Sequence, residues 1–299
     1  MPSRRHDLLA YVIPRLRKSG ELVDEPSERS RVEQWHATLD RSLPTRLVPG
    51  FERRYSVVTE EVAGFPVHAI TPRHLDPDRT LFYVHGGGFM APVDPYHVRY
   101  ATRLASSLGA RLVLADYPLA PEHSWRDSYQ PLVDLAARYA GESPVTLAGD
   151  SAGGGYALAL ALGLRDRGGP QPSELLLISP WVDLTTSTPD TPSYNAIDPW
   201  LFLSKVHAYA EWWAGSPADL GRPEVSPGLG DLSGLPRALM FSGTRDLLVP
   251  GCRLLADRAA ATDWDLTYVE KPDLIHVYPL LPFVPEARKA WRQTLGFLR

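Results

Sequence analysis

The sequence predicts an α/β protein with a mostly parallel central sheet and helices on both faces. Three observations lead there. Short apolar runs alternate with helix-like stretches from about residue 80 to the C-terminus, the rhythm of strand–helix–strand crossovers. One apolar run, Val145–Ala148, turns sharply through Gly149-Asp-Ser151-Ala-Gly153 into a stretch rich in Ala and Leu. The conspicuous polar motifs all fall at predicted strand ends, where such sheets place their ligands.

Taken in order, residues 5–42 read as two amphipathic helical pieces broken around Gly20 and Pro26. Val32, Trp35 and Leu39 give the second piece one apolar stripe. This layer is either a packing brace or part of a lid, and the sequence leaves both open. From Arg54 the period changes to two. Arg54–Thr59 and Pro66–Thr71 read as an antiparallel edge pair joined through Gly64. Six further strands are expected at Thr80–Val84, Arg111–Ala115, Val145–Ala148, Glu174–Ser179, Arg237–Ser242 and Asp265–Glu270. Helices are expected at about 96–108, 125–140, 151–168, 250–262 and 284–298. The interval 181–235, rich in Pro, Trp and Thr, breaks this rhythm and reads as an insertion over the strand ends. It carries one helix-like segment near 202–214. No internal repeat, low-complexity tract or linker marks a second independent domain.

Composition narrows the function classes. A chain of 299 residues with 44% hydrophobic and 22% charged residues is ordinary for a globular enzyme. Its net charge of -4 offers no basic field for nucleic acid. No segment approaches the run of about 20 apolar residues that spans a bilayer. A single cysteine, Cys252, excludes an internal disulfide and a cysteine-based metal cluster, and reads as a buried apolar residue. The N-terminus lacks a long apolar leader, so a cytoplasmic location is the default expectation. Neither a metal nor a cofactor is expected, and edge-strand or late-helix pairing leaves a homodimer open.

The chemistry centres on Ser151. A G-x-S-x-G turn between strand and helix is a nucleophile elbow, which lifts the serine hydroxyl clear of the sheet. His85-Gly-Gly-Gly-Phe89 follows an earlier strand, and its glycines let backbone N–H groups turn inward. Gly87 and Gly88, with the N–H of Ala152, are the expected oxyanion donors, while His85 orients the loop. Serine needs a base. Of the nine histidines, His276 alone stands just past the last strand and before the final helix. Asp246, in the loop after the preceding strand, is the expected acid that fixes the imidazole tautomer. Asp183, one strand earlier, is the competing carboxylate.

With these residues in place, the chain resembles the hormone-sensitive lipase family of α/β-hydrolases. His85-Gly-Gly-Gly-Phe89 and Gly149-Asp-Ser-Ala-Gly-Gly154 carry the resemblance. Asp116-Tyr-Pro-Leu-Ala-Pro-Glu122-His123, Ser179-Pro-Trp-Val-Asp-Leu184, Asp231-Leu-Ser-Gly-Leu-Pro236 and Gly243-Thr-Arg-Asp246 extend it. The resemblance implies an eight-stranded α/β-hydrolase sheet with a helical cap built from residues 1–50 and an insertion at about 185–220. Residues 51–299 would form the catalytic domain. It also implies cofactor-free hydrolysis of short- to medium-chain carboxylic esters. Three positions depart from the family pattern: Pro118 replaces an arginine, Pro250 replaces an acidic residue, and Lys271–Ile275 lacks a glycine.

The expected mechanism has His276 take the Ser151 proton as the serine oxygen attacks an ester carbonyl. An acyl-enzyme then forms and is hydrolysed by water. Asp150 and Glu122 read as buried carboxylates that hold loops. Phe89, Tyr156, Phe202, Trp212 and Trp213 are candidate pocket residues, and aromatics near a cap serve equally as packing. The same apparatus suits a lactone, amide or thioester of one metabolite. A non-catalytic receptor is disfavoured because Ser151, Asp246 and His276 are all present.

Overall fold

The computed structural model describes residues 1–17 and 19–299. Its centre is an eight-stranded sheet of β1 (Tyr55–Val62), β2 (Phe65–Pro72), β3 (Thr80–Val84), β4 (Arg111–Ala115), β5 (Val145–Asp150), β6 (Glu174–Ile178), β7 (Ala238–Arg245) and β8 (Leu266–Ile275). The spatial order is β1-β2-β4-β3-β5-β6-β7-β8. β1 and β2 pair antiparallel through Val62↔Phe65, and β2 runs antiparallel to β4. Every later pair is parallel. Parallel neighbours require crossovers, so helices cover both faces.

The helices are α1 (Arg4–Leu16), α2 (Glu25–His36), α3 (Phe51–Arg54), α4 (Pro95–Leu108), α5 (Tyr129–Glu142), α6 (Ala152–Arg167), α7 (Thr191–Tyr194), α8 (Leu203–Ala214), α9 (Val249–Ala259) and α10 (Pro285–Leu298). Alternation along β3 sorts its side chains between two cores. Phe82 and Val84 join the cluster under α5, α6, α8 and α9, whereas Leu81 and Tyr83 join the one under α4 and α10. Each such fully buried side chain contributes roughly 1.5–3 kcal/mol of burial free energy.

Several boundaries differ from the sequence reading. Pro26 does not break a helix; it occupies the first turn of α2, where its missing N–H costs nothing. The strand expected to end at Glu270 continues to Ile275, across a register shift opposite Gly243/Arg245. Pro272 is tolerated there because β8 is an edge strand. The expected helix at 125–140 is a short 3₁₀ turn, Trp125–Asp127, followed by α5.

The two N-terminal helices separate in role. α1 braces the body: Ser3 bonds Glu286 of α10, and Ile275 N donates to the buried His6 Nε2 at 3.1 Å. α2 instead docks on α8. Trp212 Nε1 donates to Glu25 (2.6 Å), Tyr209 Oη donates to Glu28, and Lys205 pairs with Glu28. Just ahead of α2, Glu21 accepts from Ser204 and Asn195, and Leu22 N donates to Ser204 Oγ. Val32 is fully buried from this side. No helix among the described residues is long and apolar enough to cross a membrane.

Candidate active site

Strand β5 delivers Ser151 at a forced turn. The residue has φ 53° and ψ -127°, a left-handed conformation unusual for a side chain with a Cβ and characteristic of strained functional turns. The turn is held by Ser151 N donating to Ile178 O (2.8 Å), while Gly154, Gly155 and Trp181 N–H groups converge on Ser151 O. Glycine is compulsory at 153, because a Cβ there would lie 2.2 Å from Val84 O. That close approach brings the helix start against the end of β3 and its glycine loop.

The base and acid arrive from the two strand ends beyond. His276 Nε2 lies 2.8 Å from Ser151 Oγ, and His276 Nδ1 lies 2.9 Å from Asp246 Oδ2. All three residues are buried. An ionised carboxylate only accepts, so Nδ1 carries the proton and Nε2 is left to accept from the serine hydroxyl. Burial opposes charging His276, but the Asp246 carboxylate and its hydrogen bond outweigh it, with help from Asp198 and Asp150. The net effect holds the imidazole above its ordinary value. Asp246 also accepts from Leu248 N at 2.9 Å, which fixes its loop. Pro250 sits in the first turn of α9 and leaves that loop facing His276. Asp183 is engaged elsewhere: it accepts from the N–H groups of Thr185 and Ser187, at 2.9 Å each.

The loop after β3 carries Gly87 (φ 118°) and Gly88 (φ 61°). Gly87 admits no other residue: a Cβ would meet Ala91 atoms at 2.8–2.9 Å on a backbone that L side chains rarely adopt. Among the described residues, nothing accepts from the backbone N–H of Gly87 or Gly88. The Ala152 N–H belongs to the first turn of α6, where helix N–H groups have no partner within the helix. Gly86 N, by contrast, is spent on Asp150 Oδ1.

Asp150 ties the two loops together. It accepts from Tyr83 Oη (2.6 Å) and Gly86 N (3.2 Å), and pairs with His97 Nε2 (3.3 Å). Burial would raise its pKa, yet His97 and Tyr83 hold it below the usual carboxylate value. His85 stacks on Tyr117 with ring centroids 4.3 Å apart. Burial, reinforced by His97, pushes its pKa down to about 3, so it packs as a neutral ring. Glu122 departs from the expectation of a buried carboxylate. It is exposed, and it accepts from His36 at the end of α2 (2.7 Å), whose other ring nitrogen faces Met90 O. Near Pro118, Arg41 reaches Asp116 Oδ2 (2.9 Å).

The five aromatic candidates divide. Phe89 stacks on Trp213 at 4.2 Å, and Tyr156 meets both edge-on, so these three share one buried cluster with Trp181 and Tyr117. Tyr156 Oη bonds Ser128 Oγ at 2.7 Å. Trp212 turns away toward α2 and lines an outer groove of about 500 Å³ with Glu25, Glu122 and His123; Ser151 and His276 do not line it. Phe202 caps the start of α8, partly exposed. Sequence reasoning missed the supports behind His276. Ser179 Oγ accepts from Val277 N (3.0 Å), His6 backs Ile275, and the Trp200 ring lies edge-on to His276 at 5.7 Å.

Comparison with known proteins gives the same fold and a family. A family model described as alpha/beta hydrolase fold matches residues 81–280. An acetyl-hydrolase of Streptomyces hygroscopicus is 33% identical over 227 residues, 74% of this chain and 75% of that protein. The carboxylesterase NlhH of Mycobacterium tuberculosis is 31% identical over 234 residues, 73% and 72% of the two chains. A crystal structure of an esterase from the bacterial hormone-sensitive lipase family superposes with a TM-score of 0.78 at 27% identity. It covers 100% of this chain and 98% of that one.

Proposed function

This chain belongs to the alpha/beta hydrolase family, among its esterases and lipases of the hormone-sensitive lipase type, and from that premise we propose that it is a serine carboxylesterase acting on short- to medium-chain esters. The observation that carries the reading is the buried chain Asp246–His276–Ser151, with both hydrogen-bond distances under 3 Å.

In this reading His276 Nε2 takes the Ser151 proton as Oγ attacks the ester carbonyl. Gly87, Gly88 and Ala152 N–H groups meet the developing oxyanion, and loss of one such donor costs about 10²–10³ in turnover. The imidazolium, stabilised by Asp246, then protonates the leaving alkoxide. A water follows the same route and releases the acid from the acyl-enzyme. The contacts of α2 with α8 support reading residues 1–50 and the 185–220 insertion as one cap over a catalytic domain of residues 51–299. A side chain at Gly88 would meet Tyr209 of α8 at 3.3 Å, and this closeness of α8 to the glycine loop supports the same reading. Phe89, Trp213 and Tyr156 pack on one another, and the acetyl-hydrolase and carboxylesterase names of the relatives support a preference for small acyl groups.

Hydrolysis of p-nitrophenyl esters from acetate to palmitate, with Ser151→Ala as control, tests this. Activity greatest on the short esters and abolished in the variant is expected. Folded wild-type protein that hydrolyses none of them contradicts it.

A further inference from the structure

The insertion closes on the acid arm of the site through one side chain. Asp198 is buried, and its carboxylate accepts three backbone N–H groups: Trp200 (2.7 Å) and Leu201 (3.0 Å) at Oδ1, and Leu247 (2.7 Å) at Oδ2. Leu248, the next residue, donates to Asp246 Oδ1. Two carboxylates from separate segments thus draw on consecutive N–H groups of the turn into α9. The Asp198 turn also sets the Trp200 ring edge-on to His276, with an interplanar angle of 79°. A buried carboxylate beside a second one is unfavourable unless fixed donors hold it, and Asp198 is not itself a member of the Ser–His–Asp chain.

We propose that Asp198 is a positioning residue: it ties the insertion to the Asp246 turn and holds Trp200 against His276, so that covering segment, acid and base share one register. The proposal rests on the serine-hydrolase reading of this site. The titratable groups that act on it are Asp246, from the turn after β7, and His276, from the turn after β8. Burial first, then the Asp246 charge, pushes the Asp198 carboxyl up to about 6. Its negative charge in turn helps to hold His276 above the ordinary imidazole value.

Asparagine cannot replace it. Turned one way, its NH₂ faces the Leu247 N–H and one hydrogen bond is lost; turned the other, it faces the Trp200 and Leu201 N–H groups and two are lost, in either case along with the charge. In the full chain, Asp198→Asn is expected to lower kcat about tenfold through misplacement of reacting groups, with little change in KM. The acidic limb of its kcat/KM profile is expected at lower pH than in wild type, because a carboxylate that favoured the imidazolium is gone. The His276 imidazole titration, followed by NMR in Ser151→Ala and in Ser151→Ala/Asp198→Asn, is expected to move the same way. A variant that only melts earlier, with kcat, limb and titration unchanged, overturns the proposal. Should Asp198→Asn fail to fold, Trp200→Leu removes the ring while keeping the carboxylate. Reduced kcat and a shifted His276 resonance support the proposal, and neither change overturns it. A wild-type chain silent on esters overturns the hydrolase reading, whereas the NMR titration still tests Asp198.

Discussion

Ser151 is held with φ 53° by hydrogen bonds that converge on its carbonyl from three residues, and strain of this kind, on the order of 1–3 kcal/mol, persists only where the surroundings over-determine it. The residues hydrogen-bonded in series to it can be read from the sequence because each stands at a strand end, Asp246 after β7 and His276 after β8. What the sequence did not disclose are single side chains that act across long separations. His6 backs Ile275 from α1, and Asp198 lies in a Pro- and Trp-rich insertion with no local pattern around it. Glu122 was misread as buried because its partner, His36, comes from the end of α2. Asp246→Asn should leave the fold intact and lower kcat about 10⁴-fold by favouring the wrong imidazole tautomer; single-turnover kinetics with melting curves separate the two effects. The pH profile follows from His276. The base must be neutral, and the net effect of burial and Asp246 raises its pKa from 6.5, so activity is lost as pH falls through a value above that of free imidazole. An acidic limb of kcat/KM at or below 6.5 would contradict this.

At the next scale, elements are set as much by their neighbours as by their own residues. All eight strands could be read from apolar runs and turns, but β8 was read short because Pro272 and Asp273 look like loop residues. Only its place at the sheet edge permits them to continue the strand. Whether the N-terminal helices brace or cover could not be decided from an apolar stripe, since both uses bury one face. The contacts divide the two: α1 packs behind His276 and α2 on α8. The α2–α8 contact centres on Glu28, which hydrogen-bonds Arg31 and, against the cost of burial, Tyr209, with Lys205 nearby; its carboxyl is pulled down to about 2. Since the unfolded carboxyl titrates near 4.5, its stabilisation is full above that value and disappears as pH falls through about 2. Glu28→Gln should therefore speed amide exchange in α2 at neutral pH and lower Tm, while α1 exchange stays unchanged. Equal protection of α2 in variant and wild type would show that Glu28 does not hold the contact.

At the scale of the whole molecule, one mostly parallel sheet gathers Ser151, Asp246 and His276 at its strand ends and sorts its apolar side chains between two cores. That arrangement was predictable from alternating strands and helices. Pocket shape was not, because it depends on how segments far apart in sequence pack together, as the division of Trp213 inward and Trp212 outward illustrates. The central claim is that Ser151 forms an acyl-enzyme. Intact-mass and peptide mass spectrometry after treatment with a fluorophosphonate, or after a rapid acid quench with p-nitrophenyl butyrate, measures this most directly. A single adduct on the peptide containing Ser151, absent from Ser151→Ala and slowed in His276→Ala, is the expected result. Unlabelled Ser151 in protein that nevertheless hydrolyses esters, or an adduct that survives in Ser151→Ala, would contradict it.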